Sequence, residues 1–402
     1  MEYIKGGVCA PKGFVAGGVN CGIRGKEKRD LALIVSRSMA SAAGVYTQNL
    51  VKGAPITVTQ KHIEDGYARA IIANSGNANT CNPNGISIAE GMCELVETFT
   101  SIKQNDIIVA STGVIGQELN LEPIAYGMPS LMTSLGSHSD WAAEAIMTTD
   151  TAKKELAAKF MIGGRPARIG AIAKGSGMIC PNMATVLVFI TTDAKITPAM
   201  LQKALSEVVK DTFNMISVDR DTSTNDMCVV LANGLAETED IHEVGPLFED
   251  FKAALADICT QLAKSIAKDG EGATKLLECR VTGGKTDADA RKIAKSVICS
   301  NLLKCAMFGA DANWGRVLCA IGYAGAETDV KKIAVTFKSS AGEIKVCENG
   351  GAVDFSEEAA KKVLSEDEIV IDVALGDGDA AATAYGCDLS YDYVKINGDY
   401  RS

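Results

Sequence analysis

Lys174-Gly-Ser-Gly-Met-Ile-Cys-Pro-Asn-Met-Ala184-Thr185 runs straight into the apolar segment Val186-Leu-Val-Phe-Ile190. The two together read as a loop that delivers a threonine to the start of a buried strand. Glycines at 175 and 177 are expected to give the backbone conformations closed to other residues, and Pro181 to fix a bend ahead of the apolar run. A small residue, Ala184, followed by a hydroxyl residue is what an internally cleaved precursor needs. If the Thr185 hydroxyl attacks the carbonyl that precedes it and the Ala184–Thr185 bond breaks, the new chain begins with a nucleophile and a free amine. That amine, with an ordinary pKa of about 7.7 to 8.0, takes the hydroxyl proton near neutral pH. A glycine-rich turn before a core strand would leave the same local pattern, so the rest of the chain has to decide.

With 402 residues the chain can bury a large core, as two lobes or one large domain. Hydrophobic residues make up 47% and charged residues 22%, a soluble globular balance. A net charge of -10 disfavours nucleic acid and anionic membrane as partners and suits small charged metabolites better. The start of the chain carries no secretion signal and no stretch is apolar enough to span a bilayer, so a cytoplasmic location is expected. The 13 cysteines contain no C-x-x-C pair and are expected to be reduced core residues. His62, His138 and His242 are the only histidines, and none lies at metal-ligand spacing. Zinc chemistry and a histidine-based triad are both weak ideas for such a chain, whereas a terminal amine acting as base needs no histidine.

Outward from the junction, strands are expected at 31–35, 56–59, 68–72 and 106–110, then at 186–191, 227–231, 332–337 and 368–374. Helices are expected at 200–213, 248–268 and 288–307, where apolar residues recur at helical spacing. Asn74–Asn79 and Ser111–Gly116 follow strands directly and read as small polar loops whose backbone N–H groups can face a ligand. The expected fold class is α/β, helices packed on sheets, with the boundary between residues 1–184 and 185–402 set by a cleavage site more than by a linker.

Taken in order, these segments resemble the glutamate N-acetyltransferase family, also called ornithine acetyltransferases, of the arginine biosynthesis cycle. The resemblance rests on Pro11-Lys-Gly-Phe14, Asp30-Leu-Ala-Leu-Ile34, Gly44-Val-Tyr-Thr47, Asn74-Ser-Gly-Asn-Ala-Asn79, Ser111-Thr-Gly-Val-Ile-Gly116 and Thr148-Thr-Asp-Thr151. It continues through the 174–185 stretch, Asp221-Thr-Ser-Thr-Asn-Asp226, Asp269-Gly-Glu-Gly-Ala-Thr-Lys275, Asn313-Trp-Gly-Arg316, Gly386-Cys-Asp-Leu389 and Asp392-Tyr-Val-Lys-Ile-Asn397 to Ser402. Departures are small: Cys81-Asn-Pro-Asn84 after the asparagine-rich loop, Ala312 where proline is common, and Ser402 where threonine is usual.

The resemblance implies a self-cleaving N-terminal-threonine nucleophile fold of the ornithine acetyltransferase type, with an alpha chain of residues 1–184 and a beta chain of residues 185–402. It implies transfer of acetyl from N2-acetyl-L-ornithine to L-glutamate through an acetyl ester on Thr185. The Thr112 hydroxyl and the Gly113 N–H become oxyanion donors; Thr148, Lys174, Glu271, Asn397 and Ser402 become substrate contacts, with Glu271 facing the substrate ammonium. Thr149 and Thr151 offer the same hydroxyl as Thr148. No cofactor is implied; whether acetyl-CoA is a second acetyl donor stays open. The expected assembly is two alpha and two beta chains. The alternative is a self-processing amidohydrolase or aminopeptidase in which water replaces the acceptor amine, and a non-catalytic metabolite-binding protein is a third. The intact Ala184–Thr185 pair with Thr112 and Gly113 argues against the third, and retention of both Lys174 and Glu271 favours the transferase. Asp221–Asp226 and Asp377-Gly-Asp379 are read as supporting segments, because the order of a calcium loop is absent. Tyr393 and Tyr400 are expected to anchor the C-terminal segment.

Overall fold

The computed structural model describes residues 1–25, 28–180 and 186–398. Ala184, Thr185, Tyr400 and Ser402, together with Pro181, lie outside the described residues. The chain divides into two compact units, one formed by Met1–Gly175, Asn182–Lys210 and Thr222–Leu262, the other by Ser176–Pro181, Asp211–Asp221 and Ala263–Ser402. The α/β class is borne out in both.

Among the described residues of the first unit, nine strands form one sheet. Its spatial order is Glu2–Tyr3, Lys154–Ile162, Arg165–Lys174, Leu187–Thr192, Met227–Ala232, Leu31–Tyr46, Tyr67–Asn77 and Ile107–Val114, with Phe14–Val19 also paired to Leu31–Tyr46. Side-chain alternation sorts the same strands into two cores. Leu31, Leu33, Ala70, Ile72, Ile107 and Val109 pack on Met92 and Val96 of the helix Gly85–Thr100 and on Ile124, Met128 and Leu131 of the helix Leu121–Ser134. Ala32, Ile34, Ile71, Ala73, Ile108 and Ala110 turn the other way, into a core with Ala142 and Ala143 of the helix Ser139–Ala145 and with Leu187, Phe189, Met227 and Val229. Leu187–Thr192 is buried throughout and central, antiparallel to Arg165–Lys174 and parallel to Met227–Ala232. The apolar run after Thr185 is therefore a core strand, as its composition suggests.

In the second unit the order is Gly351–Ala352, Gly342–Glu348, Ala334–Ser339, Glu368–Ala374, Leu276–Gly284, Ala380–Cys387 and Ile216–Ser217. Leu277, Cys279, Val281, Ile369, Ile371 and Val373 lie on one face, against Ile293, Ala294 and Val297 of the helix Asp287–Ile298 and Val363 of the helix Glu357–Leu364. No described helix is long and apolar enough to cross a membrane.

Three expectations are corrected. Residues 56–59 are not a strand but the middle of the helix Ala54–His62. Gly53 and Pro55 start it, because proline is favoured in a first turn, and Ile56, Thr59 and His62 fall on one buried face at three-residue spacing. The expected helix 288–307 is two, Asp287–Ile298 and Asn301–Phe308, because the Ser300 hydroxyl accepts from the Leu303 N–H and caps a new helix. Of the cysteines, six are buried, four partly buried and three exposed, so the expectation of core residues holds for only part of the set; no two are joined in a disulfide.

Candidate active site

In the first unit the sheet pairing aligns Lys174, the last residue of its strand, with Leu187, the first residue of the next and two positions beyond Thr185 in the sequence. Lys174 is 8% exposed. Its Nζ lies 3.5 Å from the Thr112 hydroxyl, at the long limit of a hydrogen bond. Two predicted site residues, far apart in sequence, are thus brought together.

A buried ammonium needs a counter-charge, since leaving it unpaired out of water is costly. Asp150 supplies it. Its Oδ1 accepts from Lys154 Nζ at 2.7 Å and from the Gly175 N–H at 2.7 Å, and its Oδ2 accepts from the Thr148 N–H at 3.1 Å. Burial alone would raise the Asp150 pKa, but Lys174, Lys154 and these hydrogen bonds bring it down to about 2. Asp226 behaves in the opposite way. Burial pushes its carboxyl well above the carboxylate range, against the pull of a hydrogen bond from Ser223 and the charge of Lys174, and its Oδ2 has no hydrogen-bond partner among the described residues. Thr148 enters through its backbone: besides its N–H on Asp150, its carbonyl accepts from Arg24 at 2.7 Å.

Gly113 is a glycine by necessity. Its φ is +134°, and a Cβ there would stand 2.3 Å from the carbonyl carbon of Gly76 and 2.5 Å from the Asn77 nitrogen. The strands Tyr67–Asn77 and Ile107–Val114 run further than expected and meet in an irregular register at Gly76 and Asn77. Asn74–Asn77 and Ser111–Val114 are therefore strand ends and not loops, which puts Thr112 and Gly113 in the paired margin of the sheet.

In the second unit Glu271 and Asn397 meet: Asn397 Nδ2 donates to Glu271 Oε2 at 2.7 Å and to the Tyr393 carbonyl at 3.1 Å. Glu271 is 7% exposed and follows the helix Pro246–Lys268 in the turn its sequence implied. Its N–H donates to the Ser176 carbonyl at 3.1 Å, while the Ser176 hydroxyl donates to the Asp269 carbonyl at 2.6 Å. Gly175 and Gly177 do not adopt the left-handed conformations expected of them. Gly177 is needed for space instead, since a Cβ would fall 2.3 Å from the Glu271 carboxylate. Met178 takes the positive φ, +57°, where Asp219 accepts from the Met178 and Ile179 N–H groups at 2.7 and 2.8 Å.

The helix Tyr391–Gly398 is fixed by the Ser390 hydroxyl on the Gly272 carbonyl and by Tyr393, whose phenol hydrogen-bonds Asp219. Burial, then that carboxylate, raises the phenol pKa. Tyr393 thus anchors the C-terminal segment as expected. Asp377 serves a turn, accepting from the Thr328 hydroxyl and Asp329 N–H and pairing with Lys332.

Sequence reasoning passed over Asp150 and Lys154, the charged pair beneath Lys174, and Asn225, which is 6% exposed and bonded to Ala78, Thr80 and Ser111. Asp150 lies inside the quoted segment Thr148–Thr151 and Asn225 inside Asp221–Asp226, so the motifs held the signal. Among the described residues, no cluster of three or more His, Cys, Asp or Glu side chains could hold a metal ion.

The ArgJ family model matches residues 15–402. The chain belongs to the ArgJ family. It is 50% identical to the arginine biosynthesis bifunctional protein ArgJ 1 of Clostridium acetobutylicum over 97% of this chain and 96% of that protein. It is also 50% identical to the ArgJ of Caldanaerobacter subterraneus subsp. tengcongensis over the whole of both. Among solved structures it resembles the arginine biosynthesis bifunctional protein ArgJ of Bacillus halodurans, with 48% identity and a TM-score of 0.50, over 98% of that chain and 53% of this one. The family resemblance carried by the motifs is thereby borne out along almost the full length.

Proposed function

We propose that the chain is a glutamate N-acetyltransferase that moves the acetyl group of N2-acetyl-L-ornithine to L-glutamate, with Thr185 as the residue acetylated in between. The observation that carries this is the Lys174 ammonium beside the Thr112 hydroxyl, on the strand aligned with the one that follows Thr185. Membership of a family whose relatives are named for arginine biosynthesis supplies the substrates.

The precursor cuts itself when the Thr185 oxygen attacks the Ala184 carbonyl and the C–N bond breaks, freeing the threonine amine and leaving an ester, which water then hydrolyses to the Ala184 carboxylate and the Thr185 hydroxyl. A solved relative whose chain, matched over 98% of its length, spans 53% of this one supports a two-chain enzyme, since residues 185–402 are 218 of the 402. In the transfer itself the freed amine takes the hydroxyl proton as Thr185 attacks the acetyl carbonyl. Negative charge then grows on the acetyl oxygen, where the Thr112 hydroxyl and Gly113 N–H donate. Lys174, beside the Asp150 carboxylate, favours that charge. Collapse passes the hydroxyl proton to ornithine's departing amine and leaves the acetyl ester; the glutamate amine then attacks the same carbon and gives up a proton to the threonine amine, which returns it to the Thr185 oxygen as N-acetylglutamate departs. Glu271, with Asn397 against it, holds the substrate ammonium, and Thr148 and Ser402 complete the set. No cofactor enters these steps. The word bifunctional in the relatives' names supports acetyl-CoA as a second donor. A cytoplasmic enzyme of two alpha and two beta chains fits this reading.

The test is purified protein with N2-acetylornithine and glutamate, with and without acetyl-CoA. N-acetylglutamate and ornithine in equal amounts are expected. Release of acetate in place of N-acetylglutamate would make the protein an amidohydrolase and overturn the assignment.

A further inference from the structure

Ile107–Val114 is the last strand of its sheet, so one row of its backbone groups faces away from any neighbouring strand. Side chains close that open side at every second residue. His62 Nδ1 lies 2.8 Å from the Ile107 carbonyl. The Thr59 hydroxyl donates to the Val109 carbonyl at 2.7 Å and accepts from the Val109 N–H at 2.9 Å. Asn225 Nδ2 donates to the Ser111 carbonyl at 3.0 Å. His62 and Thr59 belong to one helix, whereas Asn225 comes from the segment ahead of the strand Met227–Ala232. By the period of two, Gly113 is the next residue on that side.

Asn225 is held more tightly than an edge-covering side chain requires. Nδ2 also donates to the Ala78 carbonyl at 2.5 Å, and Oδ1 accepts from the Thr80 hydroxyl at 2.6 Å and the Thr224 hydroxyl at 2.5 Å. Gly53 gives it room, because a Cβ there would come within 2.5 Å of Nδ2. The carbonyl it grips belongs to the peptide group whose nitrogen is that of Thr112. On its side-chain side Ser111 is pinned as well, its hydroxyl donating to Asn74 Oδ1 at 2.6 Å.

We infer that Asn225 is a positioning residue for acyl transfer: by holding the Ser111 carbonyl it sets the plane of the Ser111–Thr112 peptide and so aims the Thr112 hydroxyl and Gly113 N–H at the oxyanion. The inference rests on the role proposed for Thr112 and Gly113. With its amide engaged by Ala78, Ser111, Thr80 and Thr224, Asn225 acts through the Ser111–Thr112 peptide and not as a group of the reaction itself. Its amide is uncharged, so it sets geometry and not protonation. The reason this matters is that an oxyanion donor acts through distances fixed before the charge develops, and a misplacement of about 1 Å costs on the order of 100-fold.

Asn225→Asp, Asn225→Ala, Thr112→Ala and the double variant Asn225→Ala/Thr112→Ala test this, with rates referred to cleaved enzyme and Tm measured alongside. Asn225→Asp keeps the shape but turns an acceptor toward two carbonyls. Each Asn225 variant is expected to lower kcat about 10- to 100-fold with KM within about 3-fold. In the Thr112→Ala background the same change should cost under about 3-fold, because the hydroxyl it aims is gone. Thr80→Val removes only one hydroxyl that steadies Asn225 and should give a milder form of this pattern, even where the Asn225 variants do not accumulate. Unchanged kcat, a loss confined to Tm, or a loss that multiplies in full with that of Thr112→Ala would overturn the inference. A silent Thr112→Ala would instead overturn the oxyanion assignment beneath it.

Discussion

Asp150 is the buried carboxylate against which two lysines of the site region are set. Its side chain and that of Lys154 are fully buried at 0% and 2% exposure, with Lys174 close by. Removing the charge with Asp150→Asn leaves two buried ammonium groups facing one neutral amide, a change expected to cost about 3 to 5 kcal/mol. Thermal or urea unfolding checks it, and a loss under about 1 kcal/mol would show that the lysines find other partners. The same carboxylate sets an acid limit. Its pKa in the fold, about 2, lies below the ordinary 3.8, so the stabilisation is complete above about pH 4 and is lost as pH falls toward 2. Asp150→Asn should therefore have a flatter stability profile across that window than the parent. Glu271→Gln probes the other unit: it should weaken use of N2-acetylornithine more than use of N-acetylglutamate, which has no side-chain ammonium, and equal losses would reject the assigned partner. Lys174, Thr112 and Glu271 were legible because they sit in motifs. Asp150 and Asn225 sit in motifs too, but nothing in a motif tells which of its polar residues is buried among charges or, as for Asn225, bonded to a carbonyl 147 positions away.

At the scale of elements, glycines decide where strands and side chains come close. Gly113→Ala places a Cβ against the Gly76 backbone at a left-handed φ, so it should give little folded or self-cleaved protein. Gly177→Ala meets only the movable end of Glu271, so folding should survive with Tm close to that of the parent. What should suffer is the Glu271–Asn397 hydrogen bond, seen as a raised KM for N2-acetylornithine; unchanged KM would detach Gly177 from Glu271's role. The misread elements have related causes. Ile56-Thr-Val-Thr59 has a strand's β-branched composition, yet Gly53 and Pro55 open a helix there and tertiary packing overrides the preference. The Ser300 cap splits a continuous apolar period into two helices, which periodicity alone cannot show. The core strand Leu187–Thr192 was plain from its unbroken apolar run, as was Glu368–Ala374 from its alternation.

For the whole molecule, the succession of expected strands and helices pointed to the α/β class, net charge to a small charged metabolite as the expected partner, and the motifs in their order to the family. The pairing of Lys174 with Thr112 became visible only once the strands were placed side by side. The division of the chain at 184/185 is distinct from its division into compact units, since Leu187–Thr192 lies deep in the first unit's sheet. A chain starting at Thr185 would thus begin two residues before a strand that pairs with residues 165–174, and the two chains should stay together after cleavage and co-elute in gel filtration. Separation without denaturant would contradict that. The most direct test of acyl transfer through Thr185 is the intact mass of the enzyme incubated with N2-acetylornithine and no acceptor. A chain of residues 185–402 heavier by one acetyl group, located on Thr185 and discharged by glutamate, is expected. An uncut chain that transfers acetyl at full rate, or a cut one that does so without ever carrying the acetyl group, would contradict it.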